Sequence, residues 1–193
     1  LPQIRQLLFD GEYAKAQELC KNDFMGHNNW NMYQTLGDLF IKTNHSGNVS
    51  DYVRTLDLNT AVATTSYSVD GVKYTRKYFS SYPQQAIFIK ISTDQPNSLS
   101  LSLALKREKD AQVEADGNLI SMFGQVTAGG ADMKGVNPGV KYFTRLKVLT
   151  SDGHISNSAD SIIITNASEV LVQLVARTDY WGENPKIACS KDL

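Results

Sequence analysis

The chain has 193 residues, of which 41% are hydrophobic and 20% are charged. This length and composition fit one globular domain that can bury a sizeable core. Its 19 basic and 20 acidic side chains give a formal net charge of -1, and neither a basic stripe nor an apolar run of roughly 20 residues occurs, so we expect no nucleic-acid partner and no membrane partner.

The residues in the range 1–25 predict a helical hairpin. Pro2 stands where a helix tolerates proline, and apolar residues recur at helical spacing until Gly11 interrupts the pattern. A second amphipathic pattern begins near Tyr13. Residues 26–31 are polar and turn-prone, so they predict a loop.

The remainder of the chain predicts about nine β-strands. Residues 36–41 fit one short strand, in which Gly37 indicates a bulge or a close approach of two backbones. Further on, Asp70 and Gly71 stand between two alternating runs, which is a strong signal of a β-hairpin. Turn residues recur at the spacing of roughly 8 to 12 residues that is typical of sandwiches and barrels. The sequence therefore predicts a mainly β domain with a short N-terminal helical hairpin.

Asp38, Asp51 and Asp57 are the candidate catalytic carboxylates on or near the first strands. Glycoside hydrolysis in its usual form needs two carboxyl groups that flank the scissile bond. Aspartate is also common in turns and at strand ends, and we favour this structural role for each of the three. No nucleophile elbow, P-loop or dinucleotide fingerprint occurs, so no cofactor is expected.

The histidines and cysteines do not predict a metal site. His27 and His45 lie in polar loops and His154 follows a turn, without the paired spacing of metal ligands. Cys20 and Cys189 also lack such spacing. Two free thiols are favoured, and one disulfide that joins the ends of the chain is the alternative.

Four aromatic residues suit a sugar ligand, because aromatic rings pack on the apolar C–H face of a pyranose. They are Trp30, Tyr33, Tyr180 and Trp181. For exposed aromatic residues, packing against a neighbouring domain or against the core is the favoured alternative.

Several sequence blocks occur in an order that resembles the N-terminal domain of family 95 glycoside hydrolases, the α-L-fucosidases and related α-L-galactosidases. The blocks are LPQIRQLLFDGEYAKAQE at 1–18, YQTLGDL at 33–39, YVRTLDL at 52–58, VDGVKYTR at 69–76 and EVLVQLVARTDY at 169–180. Together they cover most of the chain, which makes the resemblance more specific than any single motif.

The resemblance implies a single β-super-sandwich domain of the galactose mutarotase-like kind over residues 1–193. It also implies that the first strands of the domain precede this chain and that a linker, expected to start within 180–193, leads to a C-terminal (α/α)6 barrel with the catalytic acid and base. The fragment alone is then expected to hold no catalytic residue and to be inactive. The implied partners are that barrel and fucosylated or related glycans, and the implied location is periplasmic or extracellular.

Three functional hypotheses follow. In the leading one, the chain is a non-catalytic domain that packs against the barrel of an inverting α-L-fucosidase-like parent and helps to shape its sugar site, with Trp30, Tyr33, Gln34 and Asp38 predicted to bind substrate. In the second, it is a free-standing carbohydrate-binding sandwich that uses Trp30, Tyr33 and Trp181 as a stacking platform. The third, mutarotase-type catalysis, needs a histidine and a carboxylate that converge in one cleft.

Overall fold

The computed structural model of the protein describes residues 1–24, 34–127 and 139–193. They belong to two units, one drawn from residues 1–33 and 128–136 and the other from residues 34–127 and 137–193. None of the helices in the described ranges is long and apolar enough to cross a membrane.

The first unit contains the N-terminal helix pair that the sequence predicts. α1 (Pro2–Phe9) has proline in its first turn, and α2 (Tyr13–Leu19) continues into a π-helical turn (Cys20–Phe24). Gly11 lies between the helices with a φ of +75°, a conformation that glycine adopts at little cost. The two helices pack on each other, which confirms the helix pair.

The second unit contains twelve strands among the described residues, and all paired strands are antiparallel. Their bounds are β1 (Asp38–Thr43), β2 (Val49–Asp57), β3 (Val62–Val69), β4 (Val72–Ser81), β5 (Ala86–Thr93), β6 (Leu99–Lys106), β7 (Gln112–Asp116), β8 (Leu119–Gln125), β9 (Lys141–Leu149), β10 (His154–Ser158), β11 (Ser161–Ala167) and β12 (Glu169–Thr178). The sequence pattern does not reveal β10, because Ile155 is its only large apolar residue.

The strands form two sheets with the main core between them. The smaller sheet has the order β1-β6-β11-β10, and the larger sheet has the order β2-β3-β4-β5-β12-β9-β8-β7. Leucine occupies every second position of β6, which explains why all its leucines point inward, each at most 3% exposed: Leu99, Leu101, Leu103 and Leu105. The predicted mainly β sandwich is therefore confirmed.

A short C-terminal helix, α3 (Pro185–Lys191), packs on the outer face of the larger sheet against β9 and β12. Asn184 caps it by accepting hydrogen bonds from the backbone N–H groups of its first turn. Cys189, a residue of this helix, is fully buried, and Arg177 forms an ion pair with Asp192 at 2.7 Å. Cys20 and Cys189 are both free thiols, which is the favoured of the two predictions made from the sequence. Residues 180–193 thus include a packed helix, and their role as the start of a linker stays a prediction.

The inner face of the larger sheet is only partly covered, because eight strands face four. Tyr52 and Leu56 on β2 remain 57% and 60% exposed. This outer strand also carries a β-bulge between Ser50 and Val53, where Asp51 adopts a φ of +52°. A cavity lies on the open face of β2, β3 and β4.

Candidate functional site

One arginine holds the segment that leads into β1. Arg107, which follows β6, donates a hydrogen bond to Gln34 Oε1 at 2.7 Å and further bonds to the carbonyl oxygens of Thr35 and Leu36. Its guanidinium group also lies 5.0 Å from the ring centroid of Tyr142. Because a planar guanidinium can donate in several directions at once, this single side chain fixes three consecutive residues.

Gly37 is the close backbone approach that the sequence predicts. Its φ is +141°, and a Cβ at this position would lie 2.6 Å from the carbonyl oxygen of Lys106. Asp38 pairs in register with Lys106, so the tight contact marks the start of β1 at Asp38 rather than at residue 36.

The structure brings two of the predicted substrate-binding residues into this anchored segment. Gln34 is half-buried and uses its side-chain oxygen to bind Arg107, and Asp38 is exposed at the first position of β1. Trp30 and Tyr33 lie outside the described residues. Sugar contact by any of the four stays a prediction.

Of the other two candidate carboxylates, Asp57 lies at the turn that follows β2 and Asp51 lies in the bulge within β2. Asp57 accepts hydrogen bonds from the Asn59 backbone N–H and the Thr60 hydroxyl, both at 2.9 Å, and these bonds hold the pKa of Asp57 below its usual range. Both residues therefore occupy positions where aspartate commonly has a structural role in the backbone.

The first cavity, with a volume of about 390 Å³, lies at the end of the larger sheet and is mainly apolar. Leu36, Tyr82, Ile87 and Leu174 are among its lining residues, and none of the described carboxylates lines it. Ile87 is 47% exposed although it lies on a sheet, so the cavity leaves apolar surface open to solvent.

Four exposed side chains with large apolar surface lie at the same end of the larger sheet as this cavity and form what we call the apolar rim: Leu58, Tyr82, Tyr180 and Trp181. The loops that carry them lie at one end of the larger sheet. Asp57 pairs with Val62 beside the turn after β2, and Ser81 pairs with Ala86 beside the turn after β4. Ala86 also pairs with Val175, near the end of β12. Trp181 is 86% exposed, Tyr82 is 87% exposed and Leu58 is 84% exposed. Tyr180 and Trp181 meet edge to face with ring centroids 4.9 Å apart.

The second cavity, which we call the tyrosine cavity, has a volume of about 350 Å³ on the open face of β2, β3 and β4. Its lining residues are His45, Val49, Tyr52, Arg54, Thr65, Tyr67, Arg76 and Tyr78. The Tyr67 ring stacks on Tyr52 at 6.4 Å and on Tyr74 at 5.3 Å. Burial raises the pKa of Tyr74, with smaller contributions from Tyr67 and Asp70.

A hydrogen-bond network organises the wall of the tyrosine cavity. The Tyr67 hydroxyl accepts from Arg76 Nη2 at 3.2 Å and shares a hydrogen bond with His45 Nε2 at 3.1 Å. Of the three histidines, His45 lines this cavity, whereas His154 begins β10 in the smaller sheet and His27 lies outside the described residues. Within residues 1–24, 34–127 and 139–193, no carboxylate lines this cavity beside His45, which is the pairing that mutarotase-type catalysis needs.

Sequence reasoning did not single out Arg107 or the tyrosine cavity. Arg107 carries no local signal, because its partners are more than 70 residues away in sequence. The cavity had a usable signal: in a hairpin that turns at Asp70 and Gly71, residues 67 and 74 must face each other.

Comparison with known proteins identifies the family. The family profile described as "Glycosyl hydrolase family 65, N-terminal domain" matches residues 1–183. "Alpha-L-fucosidase 2" of Arabidopsis thaliana is 37% identical over 112 residues, which cover 56% of this chain and 13% of that protein. "Probable alpha-fucosidase A" of Aspergillus oryzae is 39% identical over 61 residues, which cover 32% of this chain and 8% of that protein.

A solved structure shows the same fold. "Putative kojibiose phosphorylase from human microbiome" superposes with a TM-score of 0.51 and 11% identity, over 78% of this chain and 23% of that one. The predicted resemblance to an N-terminal domain of fucosidase-like glycoside hydrolases is confirmed by the profile and the relatives together. The chain belongs to the family of glycosyl hydrolase family 65 N-terminal domains.

Proposed function

We propose that this chain is a non-catalytic β-sandwich domain of an α-fucosidase-like glycoside hydrolase, and that it packs through its apolar rim against a catalytic domain of the same polypeptide. The observation that carries the proposal is the rim itself, in which large apolar side chains remain exposed at the end of the sheet that also holds an apolar cavity. Exposed apolar patches of this kind are typical of protein interfaces. The chain spans only 13% of the Arabidopsis relative, so most of such a protein lies elsewhere.

Catalysis is assigned to the other domain because, among the residues that the structure describes, neither of these two cavities is lined by the carboxylates that glycoside hydrolysis requires. The segment 34–38, anchored by Arg107, lies on one flank of the apolar cavity through Leu36. We place it at the sugar site of the complete enzyme, where it would shape the pocket without supplying the acid or the base. In this proposal the complete enzyme acts on fucosylated glycans in the periplasm or outside the cell.

Two measurements test this function. The purified chain should not hydrolyse aryl α-L-fucosides, and hydrolysis at the rate of a complete fucosidase would refute the assignment of catalysis to another domain. In the complete polypeptide, the double variant Tyr82→Ser, Trp181→Ser should lower the melting temperature of the enzyme, because packing at the rim is lost. Phe40→Ser is the matched control, since Phe40 is also exposed but lies on the smaller sheet.

A free-standing carbohydrate-binding module is the second candidate, and the edge-to-face pair of Tyr180 and Trp181 favours it. Exposed indole and phenol rings suit the apolar face of a sugar. Calorimetric titration of the chain with fucosylated oligosaccharides distinguishes the two functions. Saturable heat that disappears in Trp181→Ala supports the module, and an absence of heat up to millimolar sugar removes it.

A further inference from the structure

Two arginines lie on the same face of the larger sheet, on either side of Thr65. Arg54 on β2 pairs in register with Thr65 on β3, and Thr65 pairs with Arg76 on β4. All three residues line the tyrosine cavity. Because neighbouring strands lie about 4.8 Å apart, the two guanidinium groups start from Cα atoms roughly 10 Å apart and extend over one cavity.

These two positive charges have no acidic partner in the described part of the chain. The ion pairs found there involve neither Arg54 nor Arg76. Asp70 acts electrostatically on Tyr74, but it lies against Gly47 and does not line the cavity. Two like charges over one concave face raise the local positive potential, and an anion between them would be attracted.

Arg76 is held in place and is partly desolvated. Its Nη2 atom donates to the Tyr67 hydroxyl at 3.2 Å, and its Nε atom is buried without a hydrogen-bond partner among the residues that the structure describes. The guanidinium carbon lies 5.8 Å from the Tyr67 ring centroid. Burial removes water from this cation, and no anion replaces the lost hydration among the described residues. A bound carboxylate would therefore stabilise the guanidinium group.

The rest of the cavity suits a pyranose ring. Tyr52 is 57% exposed and stacks on Tyr67, which presents an aromatic surface at the open side. The hydroxyl of Thr65 and the imidazole of His45 provide hydrogen-bonding groups around it. A volume of about 350 Å³ is within the range of small-molecule sites.

We propose that the tyrosine cavity binds a hexuronate, a sugar whose carboxylate lies over Thr65 between Arg54 and Arg76 while its ring packs on Tyr52. This site is separate from the function proposed above, which concerns neutral fucosides and the apolar rim. The carboxylate is the favoured anion because a guanidinium donates to it with two parallel N–H groups.

The test is a ¹H–¹⁵N NMR titration of the 193-residue chain with methyl α-D-glucuronoside, with methyl α-D-glucoside at the same ionic strength as the neutral comparison. We expect saturable shifts at residues 52, 65, 67 and 76 with the uronoside only. Arg54→Gln and Arg76→Gln should each weaken binding by about tenfold, the effect of losing one hydrogen bond to a charged group. Lys77→Gln should leave binding unchanged, because Lys77 neighbours Arg76 on β4 and points to the opposite face.

Three results would overturn the proposal. They are equal binding of the neutral glycoside, an absence of shifts at tens of millimolar uronoside, and loss of the uronoside shifts in a longer natural polypeptide whose additional residues cover β2 to β4. If Arg76→Gln fails to fold, Arg54→Gln still decides the question, since Arg54 lies on the exposed outer strand.

Discussion

Tyr67 and Tyr74 face each other directly across the hairpin that turns at Asp70 and Gly71, with ring planes 11° apart and centroids 5.3 Å apart. Each is only 6% exposed. Parallel-displaced rings contribute attraction beyond the area that they bury. The pair therefore joins the end of the main core to the wall of the tyrosine cavity.

We expect Tyr67→Ala to lower the free energy of unfolding by about 3 to 5 kcal/mol, because a buried ring is replaced by a cavity. Tyr67→Phe should cost only about 1 kcal/mol, since it keeps the ring and removes the hydroxyl that binds Arg76 and His45. Urea denaturation measures both. Tyr13→Ala is the control, because Tyr13 is 69% exposed and its loss should change stability by no more than about 0.5 kcal/mol. Equal effects of the two Tyr67 variants would show that the ring itself contributes little.

Replacing Gly37 should test the close approach at the start of β1. Gly37→Ala is expected to cost about 2 to 4 kcal/mol, because the new Cβ would meet the Lys106 carbonyl and the φ of +141° strains any other residue. Gly117→Ala is the matched comparison: its φ is also positive, at +55°, but no atom of the described residues lies within 4 Å of the added Cβ. It should cost about 1 kcal/mol. Similar losses in both variants would mean that conformation alone, without the contact, sets the effect.

Arg107 should prove to be the anchor of residues 34–36. Arg107→Ala should lower the free energy of unfolding by about 1 to 2 kcal/mol and should accelerate hydrogen exchange of the backbone amides of residues 34–37. Arg107→Lys should restore little, because an ammonium group cannot donate in the same fork. Arg5→Ala on α1 provides a control on general charge loss. Unchanged exchange in Arg107→Ala would contradict the anchoring role.

The buried thiol of Cys189 should make the folded chain less stable as the pH becomes alkaline. Burial raises the pKa of its thiol to about 11 from an ordinary value of 9.0. The unfolded chain therefore releases this proton at lower pH than the folded chain does, so the stabilising contribution is complete below about pH 9 and is lost as the pH rises to about 11. Melting temperatures from pH 8 to 11 should fall more steeply for the natural chain than for Cys189→Ala. In Cys20→Ala, the melting temperature should fall with pH as steeply as in the natural chain. If it falls equally steeply in Cys189→Ala, the buried thiol is not the cause.

The local patterns predicted much of this fold, and the reason is visible in the hairpin of β3 and β4. A two-residue turn fixes the register of both strands, so the pairing of Tyr67 with Tyr74 follows from the sequence once Asp70 and Gly71 are recognised. The pairing of β1 with β6 could not be predicted in the same way, because more than 60 residues separate Asp38 from Lys106.

The candidate site was harder to predict than the fold. Its anchor depends on that long-range pairing, which places Arg107 next to Gln34. The apolar rim depends likewise on the alignment of several strand ends in the larger sheet, and no local pattern encodes such an alignment. The sequence contains no recognisable catalytic or cofactor-binding motif, so the class of protein was predicted from its resemblance to a family.

The bulge in β2 has a consequence for self-association. β2 is the outer strand of the larger sheet, and every one of its residues is exposed, Tyr52, Val53 and Leu56 among them. A straight strand of this kind would offer its free backbone groups to the sheet of another molecule. The break in register between Ser50 and Val53, with Asp51 in a left-handed conformation, interrupts that row of donors and acceptors. The same irregularity that shapes the cavity wall thus discourages molecules from joining edge to edge and aggregating.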